Sequence, residues 1–271
     1  MSVAVEISRP VLVAETDAHE GPVYARDEDA LYFTTVRTER VAIKRLSLRA
    51  GSISVVRADA NMANGMSLDG EGRLVICEQG THDAPARITR LDRASGLLET
   101  LVEGGLSSPN DVVVASDGAI WFTDPTYGWL QGFRPEPEHG DRVYRWADGR
   151  LTAVSESLDK PNGLAFTPDE RVLYVGDSGA PRRVLAFDVR GARLTNERVF
   201  AADIPGYPDG LKVDEHGRVY VSAATGVLIF SPEGDLIGEI DLPGAVNFAF
   251  GARALFITTD TAVWAAELKG A

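Results

Sequence analysis

Six polar residues with oxygen-bearing side chains recur at fairly even spacing along this chain, and each opens a short phrase that continues into an apolar run. They are Glu20, Asn64, Asn110, Asn162, Asp209 and Asn247. The set contains two carboxylates and four amides, and no Cys, His or Lys. Carboxylate and amide oxygens are the ligands that hard divalent cations prefer in proteins. If the fold brings these side chains together, they could hold such a cation.

A purely structural alternative exists for the same six residues. Polar side chains inside a folded protein can hydrogen-bond to one another and to buried water. Two of the six, however, are carboxylates. Without a cation, Glu20 and Asp209 facing each other would repel, and both would lose hydration. The set as a whole therefore favours a cation site, whereas a single Asn taken alone does not.

The elements that must position these residues are short β-strands. A second apolar run follows each polar residue after a turn, at residues 30–33, 74–77, 120–123, 173–176, 219–222 and 255–258. Turn signals such as Asp69-Gly70 and Asp117-Gly118 separate the runs, which is typical of antiparallel hairpins. Between the first two polar residues the pattern predicts four strands, near 21–24, 30–34, 41–48 and 53–57.

Four antiparallel strands in each repeat are typical of the blade of a β-propeller. The chain is therefore predicted to be all-β, with a single six-bladed β-propeller domain over residues 1–271. The last repeat has room for only three strands, so a strand near Pro10 to Ala14 is predicted to complete the sixth blade. This closure of the ring removes a pair of exposed sheet edges. Because the first strand of each blade lines the central channel, the six polar residues are predicted to meet around one axis.

The composition disfavours several kinds of partner. A net charge of -13 at pH 7 argues against nucleic acid, whose backbone is bound through Lys and Arg, and against anionic membranes. No apolar stretch reaches the length of a membrane span, and the first residues lack the features of a signal peptide. We expect a cytoplasmic protein that is a monomer or a weak homo-oligomer. The single cysteine, Cys77, lies in an apolar run and is expected to be a buried hydrophobe.

The longest departure from the even spacing lies between Asn110 and Asn162. There residues 127–140, which include Tyr127, Trp129 and Phe133, interrupt the blade pattern. We expect these residues to form a loop over one mouth of the channel. The loop could be a lid on a small-molecule site or a surface insertion without a function, and the sequence leaves both open.

Four motifs carry a resemblance to a known family. They are Glu20-Gly21-Pro22, Ser108 to Val114 followed by Trp121 to Gly128, Pro161 to Phe166, and Pro208 to Leu211. Through these motifs nearly the whole chain resembles the SMP-30/gluconolactonase family of six-bladed, metal-dependent propellers. The motifs at 108–111 and 121–125 are particularly similar to those of bacterial gluconolactonases. The chain departs from the animal members at Ser108, where they carry an arginine.

The resemblance implies roles for individual residues. It places the ligands of one divalent cation on Glu20, Asn162 and Asp209, with Asn110 either completing the shell or contacting substrate. Calcium is the favoured ion, and magnesium, manganese or zinc are alternatives. Asn64 and Asp124 would bind substrate hydroxyls or support the ligands, or else be structural residues at strand ends. Tyr127, Glu78 and His82 are further candidates for the substrate wall. His19 precedes Glu20 and could orient it.

These residues and the family together predict a lactonase. The cation would polarise the carbonyl of a sugar lactone or related cyclic ester, and water would attack it with Asp209 as base and Glu20 as ligand. Two alternatives use the same site differently. One is an organophosphate hydrolase, because a hard cation also polarises a P=O bond. The other is a non-catalytic propeller that binds a ligand or partner and holds a structural cation.

Overall fold

The computed structural model describes residues 6–38 and 40–269, which form short antiparallel strands and one short helix. The N-terminal strands are β1 (Glu6–Ile7) and β2 (Val11–Glu15). The first blade contains β3 (Val23–Ala25), β4 (Ala30–Thr34), β5 (Ile43–Ser47) and β6 (Ile53–Arg57). The second contains β7 (Ala63–Leu68), β8 (Leu74–Glu78), β9 (Arg87–Leu91) and β10 (Leu98–Glu103). The third contains β11 (Val112–Val114), β12 (Ile120–Asp124), the helix α1 (Tyr127–Leu130), β13 (Arg142–Ala147) and β14 (Arg150–Ser155).

The remaining strands continue the same arrangement. The fourth blade contains β15 (Pro161–Phe166), β16 (Val172–Asp177), β17 (Arg183–Arg190) and β18 (Arg193–Ala201). The fifth contains β19 (Leu211–Val213), β20 (Val219–Ala223), β21 (Gly226–Phe230) and β22 (Leu236–Asp241). The sixth contains β23 (Asn247–Phe250), β24 (Ala254–Thr259) and β25 (Ala262–Lys269).

Six antiparallel sheets stand in a ring, which confirms the predicted six-bladed β-propeller. The first strands contact one another in the order β3, β7, β11, β15, β19, β23 and back to β3. The second strand of every blade lies where the sequence has its second apolar run. These second strands are sandwiched between neighbouring blades, so β4, β8, β12 and β20 are buried at every position. Burial on both faces explains why each of them begins with a continuous apolar run instead of alternating apolar and polar residues.

The ring closes through the N-terminal segment, as predicted. Strand β2 pairs with β25 in antiparallel register, with Val11 opposite Ala265 and Leu12 opposite Trp264. The observed strand begins one residue after the predicted one, because Pro10 lacks the N–H that a strand hydrogen bond requires. The short strand β1 also pairs with β25, with Ile7 opposite Leu268, and the sequence did not predict it.

Glycines after the polar residues let the first strands of neighbouring blades approach closely. A Cβ added at Gly65 would lie 2.5 Å from the carbonyl oxygen of Asn110, and one at Gly163 would lie 2.3 Å from that of Asp209. The backbone N–H of each glycine donates to the same oxygen, at 2.7 Å for Gly65 and 3.0 Å for Gly163. Any side chain at these positions would push the next blade outward. The repeated Gly in the sequence therefore marks contact between blades.

Candidate metal and active site

One cavity of about 1020 Å³ at the mouth of the channel brings five of the six repeated polar residues together. Its wall includes Glu20, Asn64, Asn110, Asn162 and Asp209. The sixth, Asn247, lies beside them, because its Nδ2 donates to Glu20 Oε2 at 2.8 Å. Residues separated by more than a hundred positions in the sequence thus share one pocket.

Hydrogen bonds from threonine hydroxyls to backbone carbonyls link neighbouring blades and position the backbone of some of these residues. The hydroxyl of Thr34 donates to the carbonyl of Asn64 at 3.1 Å, and that of Thr123 donates to the carbonyl of Asn162 at 2.8 Å. Both threonines lie on second strands that are buried throughout. The backbone of Asn64 and that of Asn162 are thereby each held by the blade before them.

Glu20 is buried, with 3% of its surface exposed. Its Oε2 accepts hydrogen bonds from the N–H of Gly21 at 2.9 Å and from Asn247. These neutral donors do not balance its charge. Burial, together with the nearby Asp111 carboxylate, raises the pKa of Glu20 above its ordinary value.

Asp209 is partly buried and shares this environment. Burial raises its pKa well above the ordinary value, and the negative charge of Glu20 raises it further. The Asn162 side chain opposes this shift as a hydrogen-bond donor. Two carboxylates that repel each other in a buried pocket are stabilised by a shared proton or by a cation.

Two amide oxygens in the same cavity lack any partner. Asn64 Oδ1 and Asn110 Oδ1 are buried and accept no hydrogen bond from any described residue. A buried acceptor without a partner costs on the order of 1–3 kcal/mol, so such atoms in a native protein usually face a ligand or water. Both oxygens thus add to the acceptors around Glu20 and Asp209.

This donor set fits a hard divalent cation. It offers two carboxylates and amide oxygens, which are the ligands that calcium and magnesium take. Across residues 6–38 and 40–269 there is no group of three or more His, Cys, Asp or Glu side chains that could hold a metal ion. A cation held by Glu20 and Asp209 would therefore need further oxygen ligands, and Asn110 and Asn162 line the same cavity.

Three of the predicted substrate residues, Asp124, Glu78 and His82, do not line the cavity. Asp124 is buried and accepts the N–H groups of Ser107 at 2.9 Å and Ser108 at 2.8 Å, so it fixes the turn before Asn110. Burial raises the pKa of Asp124 to about 7. The backbone donors take both of its oxygens, which leaves it as a structural residue at a strand end.

Glu78 is also occupied elsewhere. It is fully buried, and its carboxylate accepts hydrogen bonds from Arg87 Nε at 2.7 Å and from Thr89 Oγ1 at 2.7 Å, and pairs with Arg57. These contacts hold the second blade to the first. His82 lies outside the cavity wall as well, with Nε2 at 3.2 Å from the carbonyl oxygen of Gly132. It fastens the insertion to the second blade.

The insertion reaches the cavity, as the sequence predicted. Tyr127 and Gln131 line the wall, and the hydroxyl of Tyr127 donates to the carbonyl of Lys160 at 3.5 Å. Burial raises the pKa of Tyr127, so its hydroxyl stays protonated and can donate a hydrogen bond. Arg134 anchors the loop by donating to the carbonyls of Ser107 at 3.0 Å and Thr81 at 2.9 Å.

Two features near the site were missed by sequence reasoning. The buried Asp111 lies 3.3 Å from the ammonium nitrogen of Lys212, a pair that links the third and fifth blades across the channel. Asp111 stands in the Ser-Pro-Asn-Asp motif, but Lys212 carries no repeat signal. His19, which the sequence named as a possible support for Glu20, lines the cavity; the contact of its Nδ1 with Asp260, at 2.7 Å, was not predicted.

Known proteins are similar to this chain in fold and in sequence. Residues 18–261 match the model of the SMP-30/Gluconolactonase/LRE-like region. A gluconolactonase from Zymomonas mobilis is 29% identical over 287 aligned positions, covering 93% of this chain and 80% of the relative. A 6-deoxy-6-sulfogluconolactonase from Pseudomonas putida is 30% identical, covering 89% of this chain and 82% of the relative. The solved structure of a gluconolactonase from Xanthomonas campestris superimposes with a TM-score of 0.86 at 35% identity, over 98% of this chain and 95% of that one.

The chain therefore belongs to the SMP-30/gluconolactonase/LRE-like family. The resemblance seen in the sequence motifs is confirmed, and so is the expectation of a lactonase-type enzyme. None of the described helices has the length and apolar character needed to cross a bilayer.

Proposed function

We propose that this protein is a divalent-cation-dependent lactonase whose active site is the cavity around Glu20 and Asp209. The observation that carries the proposal is the combination of two repelling carboxylates, one buried and one partly buried, with buried amide oxygens that have no partner among the described residues. The chain alone leaves the negative charges and free oxygens of this pocket without a balancing positive charge, which a bound cation would supply. Because the propeller belongs to a family that includes lactonases, we assign this cation a role in opening a lactone.

Glu20, Asn162 and Asp209 would hold the cation, and Asn110 would complete the shell through its free Oδ1. Calcium is the favoured ion because amide and carboxylate oxygens dominate the set, and magnesium, manganese and zinc are alternatives. When bound, the ion would draw charge from the lactone carbonyl oxygen and stabilise the negative charge that develops there.

The residues of the chain supply the proton transfers. As the water oxygen bonds to the carbonyl carbon, Asp209 accepts a proton from that water. The bond between the carbonyl carbon and the ring oxygen then breaks, and the ring oxygen leaves as a hydroxyl after it takes up the proton. The product is the open hydroxy acid. Asn64, with its free Oδ1, and Tyr127, with its protonated hydroxyl, would orient substrate hydroxyls.

A lactone-opening assay with controlled cation tests this proposal. Wild-type protein stripped with a chelator should lose turnover of a neutral aldonolactone, and added calcium, magnesium, manganese or zinc should restore it to differing degrees. Asp209→Asn should lower kcat by roughly 10²–10⁴, the range of a lost general base. Asp148→Asn is the matched control, since Asp148 is exposed in a turn remote from the cavity wall, with a φ of 51° that Asn tolerates.

Two results would contradict the proposal. Full activity of Asp209→Asn would remove both roles of that residue. Turnover that persists after complete chelation would remove the cation. Running a phosphotriester beside the lactone shows which ester the site prefers.

A further inference from the structure

The cavity wall carries an unexpected number of cationic side chains. It includes the carboxylates Glu20, Asp159 and Asp209 and the cations Arg37, Lys160 and Arg182. The chain as a whole has a net charge of -13, so this balance is local. If a divalent cation is held at Glu20 and Asp209, as the proposed function requires, the cavity becomes net positive.

Lys160 is not available to a ligand. Its Nζ donates to Asp141 at 2.7 Å and to Asp159 at 3.1 Å, so two carboxylates of the protein already share its charge. The cationic charge that remains on the wall belongs to Arg37 and Arg182.

Arg37 is held in position over the insertion. It lies in the loop between β4 and β5, and its Cζ is 4.7 Å from the centre of the Phe133 ring. This contact orients the planar guanidinium and limits its freedom. Partial burial lowers its pKa, and no described carboxylate lies within ion-pair distance to compensate it.

Arg182 occupies the corresponding loop on the opposite side of the ring. It follows β16 and precedes β17 in the fourth blade, whereas Arg37 follows β4 in the first. The first and fourth blades lie opposite each other in the ring of six blades. Arg182 is exposed and likewise has no ion-pair partner among residues 6–38 and 40–269. A ligand that extends from the bottom of the cavity toward its rim therefore meets one arginine on either side, and neither arginine has an ion-pair partner among the described residues.

We propose that the substrate is a lactone that carries an anionic group, such as a carboxylate, sulfonate or phosphate, remote from the ester, and that Arg37 and Arg182 recognise it. The guanidinium fork of Arg37 matches the paired oxygens of such groups. Arg182 adds attraction from the other side of the mouth. A neutral lactone would leave both charges unused.

The test compares two lactones that share one ring and differ only in charge. One is a neutral aldonolactone, and the other has its terminal hydroxymethyl group replaced by a carboxylate, with a sulfonate version as a third arm. Wild-type protein with added cation should show a higher kcat/KM for the anionic lactones, by about tenfold, which is the effect of one charge-assisted hydrogen bond. Raising the ionic strength should reduce this preference.

Variants then locate the preference. Arg37→Gln should remove most of it, because kcat/KM should fall further for the anionic lactones than for the neutral one, and Arg37→Lys should retain part of it. Arg182→Gln should lower the preference by about threefold, because that side chain is more exposed. Arg150→Gln is the matched control, since Arg150 is exposed at the first position of β14 and does not line the cavity.

The outcomes separate this inference from the proposed function. Equal kcat/KM for neutral and anionic lactones, or equal losses for both in Arg37→Gln, would overturn the recognition of an anionic group. If wild-type protein opens neither lactone, the proposed function fails. In that case calorimetry with the ring-opened dianionic and monoanionic acids still tests the arginines, and equal affinities in wild type and Arg37→Gln would overturn their role.

Discussion

Glu20 and Glu78 are both buried glutamates on neighbouring blades, yet their surroundings differ in kind. Glu78 has Arg57, Arg87 and a threonine hydroxyl around it. Glu20 has only neutral donors and lies near two further carboxylates, Asp111 and Asp209. The chain itself balances the charge of Glu78, whereas the groups that hydrogen-bond to Glu20 are neutral. Burial of a carboxylate therefore does not identify a functional site; the lack of a compensating charge does.

The largest expected effect separates the two glutamates by activity. Glu20→Gln should abolish most lactone turnover, by roughly 10²-fold or more, because one of two anionic ligands is lost. Glu78→Gln should leave kcat within a few-fold at a temperature where the protein is folded. Steady-state assays with saturating calcium measure both. Equal loss of activity in the two variants would break the comparison.

For the free energy of unfolding, we expect Glu78→Gln to have the larger effect and Glu20→Gln the smaller one. Glu78→Gln leaves Arg57 and Arg87 without their anion and should lower the free energy of unfolding by about 3 kcal/mol. Glu20→Gln in the presence of chelator should raise it by about 1 kcal/mol, because the repulsion with Asp209 is removed. Urea titrations of the cation-free proteins give both values. Glu71→Gln, whose side chain is 73% exposed, serves as the control and should change little.

The pair of Asp111 and Lys212 offers a third case, in which a carboxylate next to Glu20 is compensated by the chain. Lys212→Met should destabilise the protein by about 2 kcal/mol, because the buried Asp111 loses its partner. The extra negative charge near Glu20 should make added calcium more stabilising than in wild type. Thermal unfolding with and without calcium measures this difference. An unchanged melting temperature would show that the pair contributes nothing.

The last prediction concerns pH and Asp124, whose buried carboxyl is bonded to backbone N–H groups. Its pKa is raised from 3.8 to about 7 in the folded state. Between these values the unfolded chain releases the proton while the folded protein keeps it, so stability falls as pH rises, by about 1.4 kcal/mol per unit. The loss ends above the folded pKa. Asp124→Asn should remove this slope, as urea midpoints between pH 5 and 8 would show, and an unchanged slope would contradict it.

The repeat predicted the fold because each part of a blade has its own physical signature. Second strands such as β8 and β12 are buried on both faces and read as continuous apolar runs. The polar residues at the first strands recur because every blade presents the same position to the axis. The ring closure by β2 followed from counting strands in the last repeat. Strand β1 has only two residues, which is too short to leave a pattern.

The candidate site was only partly predictable. Glu20, Asn110, Asn162 and Asp209 were found because they occupy equivalent positions in the repeat, and the cavity contains all four. The sequence could not show that Glu78 and Asp124 lie outside the cavity wall, because their partners, Arg57 and Ser107, are far away in sequence and nothing local indicates that their oxygens are already hydrogen-bonded. Arg37, Arg182 and Lys212 are not among the repeated polar residues, and only the folded ring reveals what they face.

The glycines that separate the blades have a consequence for how such a ring can change over generations. Gly65 leaves room for the backbone of Asn110, and Gly163 leaves room for that of Asp209. Each of these two polar residues thus depends on a glycine in the preceding blade. A methyl group gained at either glycine would displace an oxygen that belongs to its neighbour. The polar residues of the cavity and the glycines beside them are therefore expected to change together in evolution. A blade exchanged with that of a distant relative would alter the spacing between them.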